Sequence, residues 1–233
     1  MVPAAAPNSE WSDDKPFEHV LQNLGTDFRN LPTANNAAII AAGAIGAGLV
    51  HPSDQSFSEW ATKSGSVSYT TIGDVIGNAY TQGAAAIGTY AVGRFSRNDI
   101  VTHIGSDLIR GQLLNGIFTT TIKVAVDRTR PTGSNHSFPS GHSSASFTTA
   151  SILQAHLGWK VGIAAYATAG FVGWCRVRDN QHWLSDVAFG SALGILSGNT
   201  VTTGHHRPHG LVVVPSHTTK NTAIFVIWTP GGQ

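Results

Sequence analysis

The chain has 233 residues, a length that suits one large domain with a substantial core. Hydrophobic residues make up 41% of it, charged residues only 12%, and the formal net charge is +1. This composition argues against a disordered chain and against a protein that binds nucleic acid through its charge. Cys175 is the single cysteine, so an intrachain disulfide is excluded.

Three uncharged stretches raise the question of membrane insertion, because a spanning helix needs about 20 predominantly apolar residues. The stretches 37–50 and 161–175 are shorter than that, and the stretch 75–93 contains amide and hydroxyl side chains. The mean hydropathy is close to zero. These features predict buried helices of a soluble bundle. The N-terminus lacks the basic and apolar regions of an export signal, and we expect a periplasmic or secreted protein whose signal is absent or removed.

The first half of the chain predicts a flexible lead followed by helices. Residues 1–15 form the lead, and apolar residues at helical spacing then predict a helix over 17–31 that ends at Pro32. Further helices are predicted over 36–50 and 72–92, with a short helix through Trp60 between them.

The second half of the chain predicts longer helices, followed near its end by short strands. Ser96 and Asp99 resemble a capping box that opens a helix to about Val126. A loop rich in Arg, Pro and Gly follows, and the next helices are predicted over 141–157, 159–177 and 183–200. The runs 211–214 and 223–228 are rich in β-branched and aromatic residues and predict a hairpin. We therefore expect a mainly α helical bundle over 16–204 and a C-terminal loop and small β-hairpin over 205–233.

Two clusters between the predicted helices can bind an anion. Lys123 lies near the end of a helix, and Arg130 and Pro131 follow on the loop. Pro139-Ser140-Gly141-His142 stands at a loop-to-helix junction, where free backbone N–H groups and the helix dipole favour an anion. Gly141 lets the backbone approach a ligand closely.

A third cluster combines a cation, a histidine and a carboxylate. Arg176 is followed six residues later by His182, and Asp186 comes four residues after that. Residues at positions i and i+4 share a helix face, so the Asp186 carboxylate can accept a hydrogen bond from one imidazole nitrogen of His182. The other nitrogen is then free to react. Together the three clusters supply what phosphoryl transfer needs, namely positioning and stabilisation of charge on the phosphate oxygens.

In this order and spacing the clusters resemble the three motifs of the type 2 phosphatidic-acid phosphatase superfamily, which includes bacterial acid phosphatases and vanadium haloperoxidases. Lys123, Arg130 and Pro131 match the first motif, Pro139 to His142 match the second, and Arg176, His182 and Asp186 match the third. Cys175 stands where the family usually has serine. The resemblance covers about residues 70 to 200 and implies the helical bundle of this family.

The resemblance also implies roles for these residues and the absence of a metal. His182 is the expected nucleophile, Asp186 its orienting carboxylate, and His142 the general acid that later activates water. The expected phosphate ligands are Lys123, Arg130, Ser140, Gly141 and Arg176. No cofactor is implied. The sequence thus predicts a metal-independent phosphoric monoester hydrolase with a phosphohistidine intermediate, acting on a phosphorylated small molecule or a lipid phosphate.

Alternatives remain open at this point. The same pocket can bind vanadate, so a vanadate-dependent haloperoxidase is the second hypothesis, and a binding module without chemistry is the third. Arg128 and Arg178 are expected to be structural or to lie at the pocket rim, and His136 is a loop residue that lines the pocket or faces solvent. His205, His206 and His209 favour a solvated loop over a metal site. We expect no nucleic-acid partner, leave room for peripheral contact with a membrane surface, and make no prediction of the oligomeric state.

Overall fold

The computed structural model describes residues 16–63, 70–203, 210–218 and 221–229. The fold is mainly helical, as the sequence predicts. A 3₁₀ turn, His51–Ser53, joins the second helix to the third. The helices are α1 Pro16–Arg29, α2 Ala34–Val50, α3 Asp54–Lys63, α4 Thr70–Gly77, α5 Ala79–Ser96, α6 Asp99–Val126, α7 Gly141–Leu157, α8 Trp159–Arg178 and α9 Leu184–Thr202.

Side-chain caps mark where several helices begin. Thr33 accepts a hydrogen bond from the Asn36 N–H at the start of α2, and Ser140 caps α7 in the same way. The predicted capping box at Ser96 is wrong, because Ser96 still belongs to α5 and Arg97 ends that helix in the left-handed region. The cap of α6 is instead Asn98.

The predicted single helix over 72–92 is two helices in the structure. Asn78 has extended backbone, and its side chain accepts from the Tyr80 N–H, so α4 ends at Gly77 and α5 begins at Ala79. The break gives α4 its own direction, and α4 packs against α7 and α8.

The core lies where α7 packs against α6, α8 and α9, with α5 on the outer side of α6 and α2 on the outer side of α9. Its buried apolar side chains come mainly from α5, α6, α7 and α9. Glycine allows close helix contact at several crossings: a Cβ at Gly194 would overlap the Ser144 carbonyl oxygen, and one at Gly43 would overlap the Ala192 side chain. Small residues at helix crossings are typical of membrane bundles. The apolar core residues are Ala86, Ile104, Leu108, Leu114, Ile152 and Val201.

Large apolar side chains on the outer helix faces are exposed. Leu49 on α2 is 76% exposed and Phe95 on α5 is 89% exposed. The continuous helical segment 34–63 is long and apolar enough to cross a membrane, and only 17% of its most apolar 18-residue window is buried. A core helix of a soluble protein would bury that window, so these faces fit a lipid environment better than water. Other exposed apolar residues are Ile45, Ile72, Val75, Ile87, Val92, Ile100, Ile117, Val124 and Ile163.

Two strands follow the helices. β1, Gly210–Thr218, pairs antiparallel with β2, Asn221–Thr229, and Leu211 is the register partner of Trp228. The residues between the strands lie outside the described ranges, so the predicted hairpin stays a prediction. The lead over 1–15 and the histidines His205, His206 and His209 also lie outside the described residues, and the domain boundaries predicted there stay predictions.

Candidate active site

The predicted site residues lie at one end of the bundle. The C-terminal end of α6 carries Lys123, whose Nζ donates to the His136 carbonyl oxygen at 2.8 Å. A Cβ at Gly141, the first residue of α7, would lie 3.8 Å from the Lys123 Cε. The end of α6 and the start of α7 are therefore adjacent, and the cation of the first motif lies beside the helix start of the second.

The second motif is tied to the third through the backbone. The Ser140 N–H donates to the Asp186 carbonyl oxygen at 3.0 Å, which joins the start of α7 to the first turn of α9. The Ser140 hydroxyl is fully buried, accepts from the Ser143 N–H and also accepts from the Ser143 hydroxyl at 2.9 Å. Ser140 thus serves as the cap of α7, a structural role beside the predicted phosphate contact.

His182 lies on the short loop between α8 and α9. The loop folds back so that the His182 N–H donates to the Arg176 carbonyl oxygen at 3.2 Å. The side chain is 3% exposed, and its Nδ1 lies 3.7 Å from the Asp186 Oδ2. The pKa of His182 is lowered to about 4, chiefly because the side chain is buried. The positive charges of Lys123 and Arg130 act in the same direction, and these effects together exceed the opposing effect of Asp186. His182 is therefore neutral at neutral pH, the protonation state that a nucleophile requires.

Asp186 is held by several donors. Its Oδ2 accepts from the Trp183 N–H at 2.9 Å and from the Ser137 hydroxyl. Its Oδ1 accepts from the Arg128 Nη1 at 2.7 Å. The 3.7 Å separation from His182 is longer than a hydrogen bond, so Asp186 acts on His182 here through charge. The carboxylate is fully buried and fixed in orientation.

The two motif arginines each have a nitrogen available to an anion. Arg176 donates to Asp74 at 2.8 Å and to Asp179 at 3.1 Å, and Arg130 donates to Gln181 at 3.0 Å. Within the part of the chain that the structure describes, the buried Nε atoms of Arg176 and Arg130 have no hydrogen-bond partner. Unpaired buried donors of this kind are costly unless a ligand accepts from them.

Asp74 on α4 is a site residue that the sequence reasoning missed. Its Oδ1 lies 2.9 Å from the His142 Nε2 and accepts from the Arg176 Nη1 at 2.8 Å. It is the one acidic residue of α4, Thr70–Gly77, and a lone carboxylate in an apolar helix is the signal that could have revealed it. His142 itself is one quarter exposed, so it faces the open side of the site.

Arg128 lies beside the motif residues and has a structural role. Besides Asp186, it donates to the Ser185 hydroxyl at 2.7 Å and to Asp54 on α3 at 2.8 Å. Asp54 in turn accepts from the Ser185 N–H and hydroxyl. This network, which the sequence did not reveal, fixes the first turn of α9 against α3.

The side chains of Arg178 and His136 each contact a residue that is not one of the motif residues. Arg178 is buried and donates to the Ala61 carbonyl oxygen at 2.9 Å. The His136 side chain is half exposed and lies 3.6 Å from Asp127. The structural expectation for Arg178 and the solvent-facing alternative for His136 agree with these positions.

One segment of the chain is similar to a known protein family. The model of the PAP2 superfamily matches residues 132–209, which carry His142, Arg176, His182 and Asp186. About a third of the chain is therefore similar to the PAP2 superfamily. The family resemblance predicted from the motifs is thereby confirmed. Lys123 and Arg130 precede the matched segment.

Relatives of this PAP2 segment include a lipid A 1-phosphatase from Porphyromonas gingivalis, which is 37% identical over 92 residues. That alignment covers 38% of this chain and 21% of the relative, so the chain spans about a fifth of the relative's length. The relative is named as a phosphatase, in agreement with the class of enzyme predicted from the sequence.

Two solved structures share the fold. LpxE from Aquifex aeolicus aligns with a TM-score of 0.53 at 18% identity, over 64% of this chain and 93% of that one. A transmembrane PAP2 type phosphatidylglycerolphosphate phosphatase from Bacillus subtilis aligns with a TM-score of 0.51 at 22% identity, over 72% of this chain and 94% of that one. At these identities the likeness establishes the fold.

The prediction of a soluble periplasmic or secreted protein is wrong. The Bacillus subtilis protein with this fold is a transmembrane enzyme, and the described helices of this chain include one segment, 34–63, that is long, apolar and exposed enough to span a bilayer. The sequence argued against a membrane span because the apolar stretch 37–50 ends before His51 and is therefore too short. In the structure the helical segment continues through the turn at His51–Ser53 into α3.

Proposed function

We propose that this protein is a membrane-embedded, metal-independent phosphatase that hydrolyses a lipid phosphate monoester through a phosphohistidine at His182. The observation that carries the proposal is the state of His182. Its imidazole is buried, neutral at physiological pH and oriented with Nδ1 toward the Asp186 carboxylate, at the end of the bundle that also bears His142 and three cations.

In the first step the free Nε2 of His182 attacks phosphorus while the bond to the leaving oxygen breaks. The developing imidazolium is stabilised by the buried Asp186 charge. His142 gives its proton to the leaving alkoxide, and its partly exposed position allows it to reach a bound ester.

In the second step His142, now neutral, takes a proton from water, and the water oxygen attacks the phosphohistidine. The phosphorus–nitrogen bond breaks, its electron pair returns to His182, and inorganic phosphate leaves. Burial and the Arg176 charge lower the pKa of His142, and Asp74, which lies beside it, opposes that shift and so favours the protonated imidazole.

Lys123, Arg130 and Arg176 are the proposed ligands of the phosphoryl oxygens. The unpaired Nε atoms of the two arginines support this assignment. A planar guanidinium can bind two oxygens at once. The three cations together neutralise the negative charge of the phosphate, as a metal ion does in other phosphatases.

The exposed apolar faces of the helices favour a lipid substrate. If these faces lie in the bilayer, a lipid anchored in the same bilayer can reach the site directly. The lipid A 1-phosphatase relative supports this class. The substrate panel should therefore compare a lipid A 1-phosphate, phosphatidylglycerol phosphate, phosphatidate and a soluble aryl phosphate.

The test is phosphate release by the detergent-solubilised protein, with EDTA present, for wild type and His182→Ala. We expect EDTA-resistant release that micromolar vanadate inhibits and that His182→Ala abolishes. His136→Asn is the matched control, because the half-exposed His136 side chain contacts Asp127 and the new residue tolerates the left-handed backbone there. It should keep wild-type turnover.

Trapping identifies the intermediate. A ³²P-labelled substrate quenched in alkali should leave an acid-labile label on wild type and none on His182→Ala. Turnover that EDTA abolishes, or a label that survives in His182→Ala, would refute the mechanism. Bromide oxidation by peroxide that depends on added vanadate, without phosphate release, would favour the haloperoxidase.

A further inference from the structure

A second polar cluster lies far from the phosphatase site. His103 and Asp107 are on the first turns of α6, and His156 is near the end of α7. Asp107 precedes Lys123 by sixteen residues on the same helix, which corresponds to about 24 Å. The cluster therefore lies toward the opposite end of the bundle.

The three side chains converge on one point. The Asp107 Oδ2 lies 2.8 Å from the His156 Nε2 and 3.8 Å from the His103 Nε2. The three candidate ligand atoms all lie within 4.8 Å of one another. Ligand atoms at about 2.0–2.2 Å from a tetrahedral zinc ion are separated by roughly 3.3–3.6 Å, so small side-chain movements suffice. Two imidazoles and one carboxylate form a known donor set for zinc.

A second layer of contacts fixes the carboxylate. Arg110 donates to the other oxygen of Asp107, to Asp27 on α1 at 2.7 and 2.5 Å, and to the Val201 carbonyl oxygen at 3.2 Å. Asp107 and Arg110 are almost completely buried. Metal ligands in proteins are commonly held in this way by outer partners.

From this arrangement we propose that His103, Asp107 and His156 bind a divalent transition-metal ion of the zinc class. The ion joins α6 to α7 and supports the bundle, and it takes no part in the reaction at His182. The fourth ligand is water or another small donor, as in zinc sites with three protein ligands.

The experiment uses the full chain in detergent, purified without a histidine tag and stripped of metal. Titration with Zn²⁺ should reach one ion per chain and raise the unfolding midpoint by about 5–10 °C at a concentration about a hundred times the Kd. Co²⁺ should give the visible absorption bands of a tetrahedral site.

Two variants locate the ion. His103→Asn removes one ligand but keeps the Asp107 contacts to Arg110 and His156, and it should lose the Co²⁺ bands and the Zn²⁺-dependent rise. A variant with His205→Ala, His206→Ala and His209→Ala should keep both. Phosphate release measured well below the unfolding midpoint should be the same with and without Zn²⁺, which separates this site from the proposed catalysis.

A folded wild-type protein with no Co²⁺ bands and no Zn²⁺-dependent rise would overturn the proposal. The cluster would then be a hydrogen-bonded network with a protonated imidazole. Bands that persist in His103→Asn and vanish in the triple histidine variant would also overturn it, because the ion would belong to the tail.

Discussion

The Asp74 Oδ1 lies 2.9 Å from the His142 Nε2, so an acidic residue from α4 is placed against the proposed general acid. The same oxygen accepts from Arg176, which binds Asp179 through its other terminal nitrogen. Asp74 therefore links the proposed proton donor to one of the proposed phosphate ligands, although it belongs to none of the three motifs.

Asp74→Asn is expected to lower kcat/KM by about tenfold or more, part of what general acid–base catalysis contributes. Removing the carboxylate also disfavours the protonated imidazole, so the alkaline limb of the kcat/KM profile should move to lower pH. The measurement is a pH profile of phosphate release for the variant and wild type.

Asp179→Asn is the matched control, because Asp179 pairs with Arg176 while Asp74 pairs with both Arg176 and His142. It should weaken substrate binding without moving the alkaline limb. Equal shifts in the two variants would show that Asp74 acts only by positioning Arg176.

The pKa of His182, lowered to about 4 chiefly by burial, predicts the acid side of the profile. Below that pH the imidazole is protonated and cannot attack, so kcat/KM should fall as the pH decreases through about 4 and stay level above it until other groups titrate. In Lys123→Met the acid limb of the kcat/KM profile should move to higher pH, because the Lys123 charge disfavours the protonated form of His182. A wild-type limb near 6.5, the ordinary value of histidine, would contradict this assignment.

Local signals account for what the sequence predicted correctly. The helix over 141–157 was predicted from the loop signals that precede it, and the three motifs depend on spacings of eight residues or fewer. Asp74 and Asp54 were missed because their contacts are distant in sequence: Asp74 lies 102 residues from Arg176, and Asp54 lies 74 residues from Arg128. No spacing rule connects residues that far apart.

The membrane environment was missed for a different reason. Helices α7 and α9 are rich in glycine, serine and threonine, which lower the hydropathy of the sequence while they line helix crossings. Only the packed bundle shows that apolar side chains such as Leu49 on α2 and Phe95 on α5 are exposed on the outer helix faces.

Arg128→Gln is expected to destabilise the protein and to lower turnover. It leaves the buried carboxylates of Asp54 and Asp186 without their shared cation. Breaking a buried ion pair costs about 3–5 kcal/mol, and the lower end applies because Arg128 is 21% exposed. Denaturation in detergent measures the loss. Arg29→Gln, at the exposed end of α1, should change stability by no more than about 0.5 kcal/mol.

The contact between α7 and α9 gives the last prediction. A Cβ at Gly194 on α9 would overlap the Ser144 carbonyl oxygen on α7 and would lie 2.9 Å from the Thr148 backbone nitrogen. Backbone atoms cannot rotate away, so Gly194→Ala must move one helix relative to the other, at a cost of about 1–3 kcal/mol. Because these two helices carry His142 and Asp186, phosphate release should decrease together with the unfolding midpoint.

At Gly88 on α5 nothing lies within 4 Å of an added Cβ, so Gly88→Ala should raise the midpoint slightly through helix propensity and leave turnover unchanged. If Gly194→Ala and Gly88→Ala behaved alike, α7 and α9 would not be packed as closely as the structure places them.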